Sequence, residues 1–281
     1  MIEIYENKKV GTIHDIFDPI SKGKGYFQGS LPFRSSDAFG IEVLPGDPRL
    51  ALQEDLLATD WQQALGGNPR GLQTTMIFAE LLTRCGEYDF VFFDLGPSLG
   101  AINRSVLLGS DFFMIPMSSD IFSLQAIENI SLSLNKWKKG LLSGISAHSD
   151  NTSEAFTIHD FPVQWKLKFL GYVTQQYTAK RVKGVRRAVK AYDQIIRRIP
   201  RTLKILEEFS VGQSSEHNSF ELGTIPNLHS LIPLSQEAHV PFFALEGKHG
   251  VVGAHFVKVK EGERIVEEVA NNVLAKIQKL S

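Results

Sequence analysis

Apolar positions along this chain fall into short continuous blocks separated by longer stretches in which they recur every three or four residues. "FVFF" (90–93) and "FFMIP" (112–116) are unbroken apolar runs, as expected of strands covered on both faces by helices. "FGIEVLPGD" reads as a buried strand closed by Pro-Gly, and "KFLGYVTQQY" as a further strand. Between them, Leu50 to Leu65, "TTMIFAELLTRCGEY" and "SLQAIENISLSLNKWKKGL" carry helical periodicity, with Gly86 as a stop signal for the second. The connection from "FVFF" to "FFMIP" is long enough for a crossover helix. Residues 1–40 are polar and turn-rich and predict a surface loop with a short helix at "IHDIF", and residues 144–162 predict a polar loop. The alternation predicts an α/β fold, a doubly wound and mostly parallel sheet in one domain over residues 1–281.

Composition narrows the classes. The 281 residues are 43% hydrophobic and 22% charged, enough for a sizeable core. Thirty Lys+Arg balance thirty-one Asp+Glu, so any pull toward nucleic acid or membrane must be local. The single cysteine, Cys85, excludes an internal disulfide and any cysteine-pair metal site, which suits a reducing compartment. No apolar run reaches the roughly 18 residues that span a bilayer, and "MIEIYENKKV" is too polar for a signal peptide, so a cytoplasmic protein is expected.

Open parallel sheets bind ligands at the carboxyl ends of their strands, where Asp94 stands. Four hydrophobic residues followed by Asp form the Walker B pattern, whose carboxylate helps hold a nucleotide-bound Mg²⁺. An acidic residue at a strand end is as often a helix cap or a turn former, so the pattern gains weight only from its context.

That context is "YDFVFFDLGPSLGAINRSVLLGSDFFMIPMSSDIFSLQAIENI", which closely resembles the ParA/MinD family of partition and positioning ATPases. The matching residues are Tyr88, Asp89, Phe90, Asp94, Pro97, Ser98, Leu99, Gly100, Ile115, Pro116, Phe122, Leu124 and Ile127. The likeness continues into "LGTIPNLHSLIPLSQEAHVPFFAL" and a closing helix, from about Gly40 to the end. It implies a P-loop NTPase-like fold, ATP and Mg²⁺ as cofactors, and Asp94 acting on the metal through a water. It further places Gly96, Pro97, Ser98 and Gly100 in the turn that senses the γ-phosphate, and Ile225, Pro226 and Asn227 against adenine. The turn reads Leu-Gly-Pro where Pro-Pro is usual, and Gly96 admits backbone angles that proline forbids.

Residues 1–281 depart from the family at the front, because no G-x-x-x-x-G-K-[ST] phosphate loop is present. Gly23-Lys24 and Gly247-Lys248 are the only Gly-Lys pairs, and neither is followed by Ser or Thr. Without those N–H groups and that lysine nothing cradles the β- and γ-phosphates, so ATP binding and hydrolysis are both expected to be severely weakened. The absent unit, roughly 30 residues or more by the size of a strand-helix-strand unit, also supplies a central strand in the family. Either Met1 is an internal methionine of a longer ATPase, or the chain is a shortened homologue without catalysis. The heavy fold penalty of a lost central strand favours the first.

Charge is concentrated in one place. Residues 171–206 hold ten Lys+Arg and one acid, Asp193. Treated as one helix over 177–206, the segment places Lys183, Arg186, Arg187, Lys190, Arg197 and Arg198 within an arc of roughly 120°. Lys180 and Arg181 adjoin it, and Pro200 should end or kink it. Unbalanced positive charge on one face suits a phosphate backbone. The family resemblance implies non-specific DNA as its partner, with ATP-dependent homodimers, a ParB-like partner protein and nucleoid association. A non-catalytic DNA- or partner-binding module on the same remnant fold is the alternative.

Other chemistry recedes. Asp111 and Asp120 read as a strand opener and a helix cap. The eight histidines lack ligand spacing, and no G-x-S-x-G elbow exists. The final helix, with Ile265, Val266, Val269, Val273, Ile277 and Leu280 along one side, reads as core-packing rather than membrane-anchoring.

Overall fold

A computed structural model of the chain describes residues 11–279, apart from 119–120, 176–179, 183–184, 188–189, 211–219 and 229. Two compact units emerge, one of Met1–Ser36, Gly40–Asp111 and Leu132–Leu167, the other of Asp37–Phe39, Phe112–Ser131 and Lys168–Ser281.

The first unit is built on helices. α1 (Ile13–Ser21) starts where the Thr12 N–H donates to Asp15 Oδ2 at 2.9 Å, and it buries Ile13, Ile16, Phe17 and Ile20 at helical spacing. The short helix expected at "IHDIF" forms here, but instead of lying in a surface loop it is part of the core, joined by Leu57, Ile77, Phe78, Leu81, Ala101 and Val106. β1 (Arg34–Ser36) and β2 (Ile41–Val43) pair antiparallel. The expected buried strand at 41–43 is therefore an exposed hairpin arm. A 3₁₀ turn (Pro48–Gln53), capped by Asp47, leads into α2 (Glu54–Leu65). α3 (Pro69–Thr75) begins at the Asn68 cap, and a break at Met76 separates it from α4 (Ile77–Thr83). α5 (Ala101–Gly109) is the expected crossover helix.

α6 (Ile121–Thr152) belongs to the second unit up to Ser131 and to the first from Leu132. It continues through 152, where a loop was expected from 144, because Leu134, Trp137, Leu141 and His148 keep burying one side. β4 (Thr157–Ile158) and β5 (Phe161–Pro162) form a small hairpin, so the rest of that expected loop is ordered too.

The second unit holds the sheet. β3 (Phe112–Ser118), β6 (Lys168–Gln175) and β9 (Glu221–Ile225) run parallel in the order β3-β6-β9. α8 (Leu231–Ala238) and α9 (His255–Gln278) follow. α9 packs Val273 and Ile277 against Leu170 and Leu222, and its Lys276 Nζ donates to the Leu170 carbonyl at 2.7 Å. Leu280 lies outside the described residues.

The largest correction concerns "FVFF". Residues 90–93 form no ladder with any strand among the described residues, and Phe90, Val91 and Phe92 are exposed. An apolar run becomes a strand only when neighbouring backbone takes up its N–H and C=O groups, and no strand among the described residues does so here.

Candidate functional site

In the first unit, Asp94 follows the apolar run 90–93 and is exposed. The flanking side chains, Phe93 and Leu95, turn inward onto the helical core, with the Phe93 ring edge-on to Phe78 at 5.6 Å. Asp94 between them is exposed. The turn behind it is held from within α5: Asn103 Nδ2 donates to the carbonyls of Gly96 at 2.7 Å and Ser98 at 2.6 Å. Gly96 lies outside the left-handed region, and a β-carbon there would meet nothing within 4 Å. Asn103, rather than glycine's conformational freedom, sets the turn.

Gly100 is the N-cap of α5 in extended conformation. Beside it sits the Glu54 carboxylate, which accepts the N–H of Ala101 through Oε1 and that of Ile102 through Oε2, the latter at 3.2 Å. A β-carbon at position 100 would meet the end of this flexible side chain, which would have to swing aside from the α5 amides. One turn along, Arg104 donates to the Leu57 carbonyl at 3.1 Å and stacks over Trp61 at 4.7 Å. Burial pushes the Arg104 guanidinium down to about 10, with the charge of Glu54 opposing the shift. Neither Glu54 nor Asn103 stood out in the sequence. Asn103 was findable as an amide three residues past the turn glycine, but Glu54, 47 positions upstream of Ala101, carries no local signal.

In the second unit the three strands end together. Register pairs Ser118 with Gln175 and Gln175 with Ile225, so the last residues of β3, β6 and β9 lie side by side. They line a cavity of about 310 Å³ with Pro116, Met117, Val173 and Thr174. That is the carboxyl-end location typical of ligand sites in parallel sheets. Thr174, in this lining, shares a hydrogen bond between hydroxyls with Thr224 at 2.7 Å. Of the three residues matched to an adenine loop, Ile225 lines this cavity, Pro226 follows half-buried, and Asn227 is exposed.

The basic segment is not one helix. β7 (Lys180–Val182) and β8 (Val185–Arg187) form an antiparallel pair, with Lys180 opposite Arg187 and Arg181 opposite Arg186, and α7 (Lys190–Thr202) follows. The 120° arc is thereby overturned for residues 180–187, while Arg197 and Arg198 stay exposed on α7. Pro200 lies two residues before the end of α7, and Lys183 falls outside the described residues. Asp111, read as a strand opener, immediately precedes β3 and pairs with Lys166 at 3.0 Å, and Asp120 lies outside the described residues. Among the described residues, no group of three or more His, Cys, Asp or Glu could hold a metal, and no helix is long and apolar enough to cross a membrane.

Residues 33–146, under half of the chain, match the model of a family described as an AAA domain (AAA_31). No curated protein matches the chain. Among solved structures, the crystal structure of protein DIP2308 from Corynebacterium diphtheriae is similar, with a TM-score of 0.68 and 24% identity, over 97% of this chain and 77% of that one. The fold is P-loop NTPase-like, and the AAA-type match covers Asp94, its turn and α5.

Proposed function

We propose that this chain is a ParA-like, nucleotide-facing domain of a DNA-partition or positioning ATPase. The observation that carries the reading is the exposed Asp94 beside a turn whose carbonyls are pinned by Asn103. Asp94 would hold Mg²⁺ through water, which suits a cation that keeps several waters and needs few protein ligands. Bound Mg²⁺-ATP would supply a γ-phosphate whose charge the metal helps to neutralise. Gly96, Pro97, Ser98 and Gly100 would lie along that phosphate.

The residues fit one side of such a ligand. The α5 amides of Ala101 and Ile102 are already taken by Glu54, and residues 1–281 contain no phosphate-loop pattern. On this reading the chain by itself binds Mg²⁺-ATP weakly and does not turn it over. Calorimetry with Mg²⁺-ATP should give weak binding that Asp94→Asn removes; equal binding by the variant, or no binding by either, refutes the assignment of Asp94.

DNA binding forms the second half of the reading. The register pairs Lys180 with Arg187 and Arg181 with Arg186, four cationic residues in one hairpin, which suits a polyanion. Lys180, Arg181, Lys183, Arg186, Arg187, Lys190, Arg197 and Arg198 are the proposed phosphate contacts, without sequence preference, in a homodimer that also meets a ParB-like partner in the cytoplasm. Retention on duplex DNA should fall steeply with salt and vanish for Arg181→Glu with Arg186→Glu; retention unchanged by the pair of reversals sinks this half alone.

A further inference from the structure

Glu80, in α4 of the first unit, is only 1% exposed, and its Oε2 has no hydrogen-bond partner among the described residues. Its Oε1 lies 3.3 Å from His159 Nε2 and 4.0 Å from Arg84 Nη1. Arg84 directs its donors elsewhere: Nη1 donates to the Phe27 carbonyl at 2.8 Å and Nη2 to that of Gly29. The imidazole is therefore the hydrogen-bond partner that the structure gives this carboxylate, and a buried charge is costly unless it is paired.

His159 reaches Glu80 from the tip of the β4–β5 hairpin, also in the first unit. His159 and Asp160 both take left-handed backbone there, at φ of 46° and 68°. Such a conformation persists where surrounding contacts hold it. Phe156 and Ile158 are buried behind the tip, whereas His159 itself is exposed. The partner that can exchange its proton with solvent is thus the histidine.

Other ionisable groups stand close to the pair. Arg84 stays charged at any ordinary pH. Burial, with the charge of Glu80 adding to it, pushes the Tyr26 phenol up, and burial also pushes the Cys85 thiol up, so both are neutral near pH 7. Asp160 adjoins His159 on the tip. His148, whose Nδ1 lies 3.2 Å from the Gly67 carbonyl oxygen, meets the Phe156 ring edge-on at 5.5 Å. Between about pH 5 and 8 imidazoles are the side chains that ordinarily change charge.

We propose that the β4–β5 hairpin is a pH-sensitive strap, docked on α4 while His159 carries its extra proton and loosened when that proton leaves. The imidazolium presents a charged N–H to the buried carboxylate; the neutral ring offers the same N–H in only one tautomer and without the charge. Because protonation strengthens docking, docking is favoured as pH falls through the imidazole range. The inference does not depend on nucleotide binding.

The test is amide hydrogen exchange of the full chain at residues 156–163, corrected for intrinsic rates, at about pH 5.5 and about pH 8. Protection should be about three- to fivefold lower at the higher pH, the difference between a charged and a neutral donor at a half-exposed site. His159→Gln keeps a neutral donor and should show equal protection at both values. His159 is exposed, so this substitution leaves the core intact, and circular dichroism verifies that. Wild-type protection that is unchanged or greater at the higher pH overturns the proposal. So does the wild-type pH dependence persisting in His159→Gln, which would assign it to His148 or to loosening of the whole unit.

Discussion

The carboxylate of Glu54, at the start of α2, accepts the backbone N–H of Ile102 at 3.2 Å together with that of Ala101, and so caps a helix 47 positions further along the chain. An acceptor at the N-terminus of α5 satisfies two of its orphan donors and complements the helix dipole. Glu54→Ala should destabilise the protein by about 0.5–2 kcal/mol, as loss of an N-cap does. Chemical denaturation measures this, and an unchanged midpoint contradicts the cap.

Asn103 holds the other side of the same turn. Its buried side chain makes two part-buried hydrogen bonds to the carbonyls of Gly96 and Ser98, and Asn103→Ala removes both. A cost of about 1–3 kcal/mol is expected, with faster amide exchange confined to residues 96–102. Unchanged exchange in that stretch contradicts the role assigned to the amide.

Acid should loosen the first unit at Asp47. Its carboxylate accepts from the Arg49 side chain, the Arg49 backbone N–H at 2.8 Å and Thr12 Oγ1 at 2.9 Å, and the Arg49 bond first of all holds its pKa well below the ordinary carboxylate range. Because the folded-state pKa is lowered, the native state binds fewer protons. The associated stability is present above about pH 4 and is lost as pH falls toward the folded value. Asp47→Asn should flatten that part of the stability profile, and an identical acid limb in both proteins contradicts it.

Gly71 in α3 lies against α2. A β-carbon there would stand 2.5 Å from Ala64 N and 2.6 Å from Asp60 O, both backbone atoms that cannot swing away. Gly71→Ala should cost about 1–3 kcal/mol through overpacking despite alanine's better helix propensity, read as a lower Tm. A stabilised variant contradicts the packing described.

Much of the second unit was legible in the sequence because its signals are local. "FFMIP" and "KFLGYVTQQY" became β3 and β6, and the final helix packs through Val273 and Ile277. The failures trace to information that a local pattern lacks. "FVFF" has the composition of a buried strand, but strand formation depends on a partner elsewhere in sequence. For residues 180–187, a wheel drawn through the cations overrode the Gly184 that separates two Val- and Arg-containing runs, a hairpin signal. The site divides likewise: Asp94 and its turn stood out as a motif, whereas Glu54 reaches the turn only through folding.

The central claim, that Asp94 faces a metal-bound nucleotide, is tested most directly by paramagnetic broadening of amide resonances with Mn²⁺-ATP. The account predicts that signals from residues 94–102 broaden selectively in the wild-type protein and stay sharp in Asp94→Asn. Broadening that spares this stretch, or that persists in the variant, would contradict it.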